Sequence, residues 1–159
     1  MKAMEDFRQS LSGLADVMRR LVESAREQKD ALLANDLPGI EASCSAQEEL
    51  LTELSRIQAA CSLTLAEWKK SLNLPEEETL AGLTCDRPEA AVIRGLWQEI
   101  LKNMGSLREA TATNRVLATR AVAFYRKVTG IIQPERQAGT YAGTGRLREA
   151  RIPVISRVV

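Results

Sequence analysis

Few residues in this chain have the types and spacing that covalent chemistry needs. There is no histidine, which removes the commonest general base and the commonest metal ligand. The cysteines, Cys44, Cys61 and Cys85, are too widely spaced for the close pairs of a zinc site. A lone loop cysteine such as Cys85, with no histidine to activate it, is a poor nucleophile. Gly139-Thr140-Tyr141-Ala142-Gly143-Thr144-Gly145 has the glycines of a phosphate loop. It lacks the Lys-Ser/Thr ending and the preceding strand that make such a loop work. Glu48 and Glu49 fall on the polar side of their segment and read as solvated charge. No catalytic residue, cofactor or metal is therefore expected, and the chain is predicted not to be an enzyme.

The segments that carry these residues are strongly periodic. Apolar residues recur at alternating steps of three and four in three stretches. The first runs Phe7, Leu11, Leu14, Met18, Leu21, Ala25, Gln28, Leu32. The second runs from Leu37 through Ile40, Cys44, Gln47, Leu51, Leu54, Gln58, Cys61, Leu65 and Trp68 to Leu72. The third runs from Ile93 through Trp97, Ile100, Met104, Leu107, Thr111, Asn114, Ala118, Ala121, Tyr125 and Val128 to Ile132. Such spacing keeps one stripe toward a partner helix and is incompatible with a strand. The fold class is therefore all-α: an elongated antiparallel bundle of three long helices, near 4–34, 37–72 and 87–131, with almost no strand.

The breaks between stripes carry their own signals. Asn35-Asp36-Leu37-Pro38-Gly39 separates the first two helices, with Asp36 placed to cap the second and Pro38 in its first turn. So short a connection predicts a hairpin. Pro75 ends the second helix by disfavouring helical geometry before it. Glu76, Glu77 and Glu78 then read either as an acidic docking patch or as carboxylates favouring the first turn of a short helix through Leu83. Asp86-Arg87-Pro88-Glu89 resembles a capping box opening the third long helix. After Ile132 the character changes. Five arginines against two glutamates give residues 133–159 a charge of +3, leaving −2 for residues 1–132. The domains read as a helical bundle over 1–132 and a basic, glycine-dotted tail over 133–159, flexible until bound.

Composition narrows the partners. A formal charge of +1 creates no field that draws the protein to nucleic acid or an anionic membrane. No apolar run approaches the ~18 residues of a membrane span, and residues 1–6 lack the apolar core of a signal peptide. Cys44 and Cys61 both fall on the core stripe, about 25 Å apart along one helix, beyond disulfide reach. They read as small core hydrophobes in a reducing compartment, and the expected location is the cytoplasm.

A second row on the third helix repeats every seven residues: Leu96, Asn103, Ala110, Leu117, Phe124, Ile131. It turns strongly apolar at its C-terminal end, so the apolar face widens there beyond that of an ordinary core-facing helix. Two readings stay open. One is a fuller core, the other a groove that receives an amphipathic segment of another protein. Asn114 interrupts the core stripe, either fixing register or pairing a partner's backbone.

The hairpin Ala31-Leu32-Leu33-Ala34-Asn35-Asp36-Leu37, followed by Glu48-Glu49-Leu50-Leu51, resembles the helix-turn-helix of FlgN-type flagellar export chaperones. The later order is similar to that family too: Asn114 opening an apolar helix end with Phe124, then Tyr141 in Thr140-Tyr141-Ala142-Gly143-Thr144-Gly145. The resemblance implies a cytosolic chaperone that binds the C-terminal segments of hook–filament junction proteins, FlgK/FlgL-like. Such a chaperone prevents their premature assembly and delivers them to the export gate. It places cargo on Asn114, Leu117, Ala121, Phe124, Val128 and Ile131, and the gate contact at Tyr141. The helical body alone fits two alternatives, a structural coiled-coil oligomer and an adaptor or chaperone of another secretion system.

Overall fold

The computed structural model describes residues 2–85 and 87–132. Its elements are α1 (Lys2–Ala34), α2 (Leu37–Ser71), α3 (Leu80–Cys85), a 3-10 turn (Pro88–Ala90) and α4 (Ala91–Ile132). No strand occurs among the described residues, so the all-α class holds, with four α-helices in place of the three long ones and a connection. Asp86, on which the expected capping box rests, and the tail with Tyr141 lie outside the described residues. Contacts divide the chain into Met1–Ala121 and Val122–Val159, a boundary inside α4. Composition alone puts it after residue 132.

Both ends of α2 are set by local backbone chemistry. Asn35 follows α1 with φ 53°, a left-handed conformation asparagine tolerates. The Asn35 and Asp36 amides then donate to Leu32 O (3.4 Å) and Ala31 O (2.9 Å), satisfying carbonyls that the helix end leaves free. The same motif recurs after α2, where Asn73 also has φ 53°. There the Asn73 and Leu74 amides donate to Lys70 O and Lys69 O, each at 3.1 Å. Asp36 occupies the N-cap position of α2 but its side chain makes no capping hydrogen bond. Its carboxylate instead lies over Gly39, where a Cβ would come within 2.4 Å of Oδ2. The short helix begins later than expected, at Leu80. Thr79 caps it, Oγ1 accepting from the Gly82 amide at 3.1 Å. Glu76, Glu77 and Glu78 precede that helix and do not form its first turn.

Within the first unit, α1 and α2 form an antiparallel hairpin. Phe7 stacks on Trp68 with ring centroids 5.6 Å apart. Further along, Arg20 pairs with Glu53 at 2.9 Å, and Ser24 Oγ donates to Ser43 O at 3.4 Å. The other neighbour of α1 is α4. Arg19 reaches Glu99 at 3.1 Å, and Asn114 donates to Ala25 O at 2.8 Å, so the two helices run in the same direction. Flanked on two sides, α1 buries the predicted stripe from Phe7 to Ala25, with Gln28 and Leu32 half-buried, and a second set including Ala15, Val17 and Val22. It supplies half of the core, which Leu50, Cys61, Trp68, Leu83, Ala90, Ile93 and Ile100 complete. Leu83, 2% exposed, brings α3 into that core.

The other two stripes are each half corrected. On α2 the row Ile40, Gln47, Leu54, Cys61 is turned inward as expected, but its companion is Ser43, Leu50, Ile57. The predicted companions Leu37, Cys44, Leu51 and Gln58 are exposed. Cys44 is therefore not a core hydrophobe, whereas Cys61 is buried. On α4 the row Ile93, Ile100, Leu107, Asn114 is inward as expected. Its companion is Leu96, Asn103, Ala110, Leu117, while Trp97, Met104 and Thr111 are exposed. Inward positions spaced by seven leave two candidate companion rows, three or four residues on. Where both are apolar, periodicity does not choose between them.

Candidate partner-binding site

The residues proposed from sequence fall into two sets. In the first unit, Asn114 is buried, 5% exposed. Its Nδ2 donates to Ala25 O at 2.8 Å and to Gln28 Oε1 at 2.9 Å, both on α1. The amide nitrogen thus holds α4 against α1, which is the register role and leaves it no donor for a partner's backbone. Asn114 Oδ1 is buried without a hydrogen-bond partner. Leu117 and Ala121 are half-buried on the same inward side of α4. This set packs the bundle.

The described residues of the second unit, Val122–Ile132, present a different surface. Phe124 is 65% and Ile131 73% exposed, and Val128 is half-buried. One residue outside the proposed set joins them on that face, Tyr125, expected in the core stripe and exposed; Val122 is also exposed but lies about 160° round the helix from Phe124. Phe124 and Tyr125 meet edge to face, their centroids 6.3 Å apart, a geometry that aromatic quadrupoles favour. One side of these turns thus exposes three large apolar side chains, Phe124, Tyr125 and Ile131, a density that marks an interaction surface. The sequence signal for Tyr125 was its adjacency to Phe124, which places two rings on one side of the helix.

Two clefts lie between α1 and α2, one near the hairpin turn and one around Gly13 and Ile57. The first is lined by Glu27, Asp30 and Asp36 among small residues. Among the described residues no group of three His, Cys, Asp or Glu side chains is arranged to hold a metal. No described helix is long and apolar enough to cross a membrane. Burial raises the Cys61 thiol above its ordinary pKa, which keeps it protonated and unreactive. Glu5 is lowered by its hydrogen bond and charge pairing with Arg8, an exposed contact on one face of α1.

Comparison with known families gives one result. A family model described as FlgN protein matches residues 1–149. No curated protein and no solved structure matches the chain.

Proposed function

The chain belongs to the FlgN family of flagellar export chaperones, and from that premise we propose that it is a non-catalytic, cytoplasmic carrier of FlgK/FlgL-like hook–filament junction proteins. It binds their C-terminal segments, blocks premature assembly and delivers them to the export gate. The observation that carries this reading is the apolar exposure of Val122–Ile132, with Phe124, Val128 and Ile131 as cargo contacts and Tyr125 beside them. An amphipathic segment laid on that helix face removes apolar surface from water on both partners. Each large side chain fully buried contributes about 1.5–3 kcal/mol before ordering costs. Tyr141 is the proposed gate contact, because a tyrosine offers a large ring and a polar tip at low entropic cost.

Calorimetric titration with a FlgK-like C-terminal peptide tests the reading. Phe124→Ser with Ile131→Ser is expected to weaken binding tenfold or more, each tenfold being about 1.4 kcal/mol. Because both side chains are exposed, the melting temperature should stay put. Unchanged affinity in the double variant would place the cargo site elsewhere.

A further inference from the structure

The two rows that periodicity assigns to the core and the structure leaves exposed belong to one groove. Gln28 marks where it lies. Its Nε2 contacts Cys44 Sγ on α2 at 3.2 Å, and its Oε1 accepts from Asn114 on α4 at 2.9 Å. Cys44 is therefore on the edge of α2 turned toward α4, and Leu51, 52% exposed, lies in the same row. On α4, Glu99 reaches outward to Arg19 of α1. At about 100° per residue, Trp97, Leu101 and Met104 lie across the buried row from Glu99, on the side toward α2. They are 39%, 49% and 37% exposed. Both helices thus turn apolar, partly open rows toward the space between them. A polar layer beneath is incompletely satisfied, with Gln47 Nε2 on α2 and Asn103 Nδ2 and Asn114 Oδ1 on α4 lacking partners.

The charge on the α4 wall points to the occupant. Following the row of Trp97 and Leu101 along α4, the charged positions are Arg94, Arg108 and Arg115, with no carboxylate. Arg94 is engaged by the carbonyls of Thr84 and Arg87. Arg108 and Arg115 make no ion pair among the described residues. The row of Leu51 on α2 holds one carboxylate, Glu48, and ends at Lys69, so the unpaired positive charge of the groove comes from α4. We propose that the groove between α2 and α4 is a second docking site, separate from the Val122–Ile132 face, and that it receives an acidic amphipathic helix of a partner protein. Apolar side chains of that helix would cover Leu51, Trp97, Leu101 and Met104, and its carboxylates would meet Arg108 and Arg115. The chain's own residues 133–159 carry +3 and have the wrong sign for it.

The site carries its own reporter. Trp97 is partly exposed whereas Trp68, 3% exposed, is buried, so iodide quenching reads Trp97 alone. The probe is a synthetic Leu/Glu amphipathic helical peptide, set against the same peptide with Lys for every Glu. With full-length protein, the acidic peptide is expected to shift Trp97 emission to the blue and cut its quenching at least twofold. The basic peptide should do neither. Arg108→Glu with Arg115→Glu, both exposed and making no side-chain hydrogen bond or ion pair among the described residues, should melt as the wild type and weaken acidic-peptide binding at least tenfold. No protection of Trp97, equal protection by both peptides, or full binding to the double variant would each overturn the proposal. So would a doubling of mass in sedimentation that protects Trp97 without peptide, since a second copy would then be the occupant. Because the Phe124/Ile131 variant leaves this groove intact, its loss of cargo affinity and any failure here are read separately.

Discussion

Asn114 shows how a single polar residue can look like a binding group and act as a strut. Its amide nitrogen joins α4 to the Ala25 carbonyl and to Gln28, so Asn114→Ala removes the second donor of a carbonyl already bonded within α1 and leaves the part-buried Gln28 amide oxygen without its donor. That is expected to cost about 1–3 kcal/mol, seen as a lower midpoint in urea with an unchanged slope. The sequence offered this register role and a partner-binding role with equal force, because both need an amide inside an apolar stripe. Only the distance to α1 separates them. Cysteine chemistry gives a second test at this scale. Cys44 and Cys85 are exposed and Cys61 is buried, so two thiols should label readily in the native protein and the third only on unfolding. Cys61 has its pKa raised by burial, so the folded state holds its proton where the unfolded chain releases it. Its contribution is therefore intact at neutral pH and lost as pH rises through and beyond the ordinary thiol range. The alkaline slope of stability should flatten in Cys61→Ala.

At the scale of elements, the ends of the helices were more legible than their faces. Asparagine after a periodic run, followed within two or three residues by proline, marks a stop both at Asn35 and at Asn73. The reason is physical, since each takes φ 53° where a Cβ-bearing residue other than asparagine or aspartate is strained. Asn35→Gly should be neutral or slightly stabilising and Asn35→Ala should cost about 1 kcal/mol, compared by thermal melts. Faces were harder to read. α1 has partners on two sides, so its whole predicted stripe is inward and more besides. α2 and α4 each had one row right and one displaced. Trp97 and Met104 look like core residues in a list of apolar positions, yet they border an open groove. An unfilled docking surface has the same composition as a core, and spacing alone does not distinguish a helix already packed from one awaiting a partner.

For the molecule as a whole, the division after Ala121 separates what holds the fold from what the proposal assigns to cargo. Every residue in the buried cluster lies between Phe7 and Ile100, and the hydrogen bonds of Asn114 add the last tie to α1. The described residues beyond Ala121 expose Val122, Phe124, Tyr125 and Ile131, which on their own add little burial and hence little stability. The family match extends to residue 149, well past the buried core, so the family pattern covers more chain than folding stability needs. A chain ending at Ala121 should therefore fold, with a helical spectrum and a melting temperature within a few degrees of the full protein, and should fail to bind a FlgK-like peptide. Circular dichroism and calorimetry on that one truncation address both halves. A collapse of the melting temperature would mean that the exposed turns of α4 support the bundle. Retained affinity would move cargo capture into the first unit, and the groove between α2 and α4, still present in the truncated chain, would be the place to look.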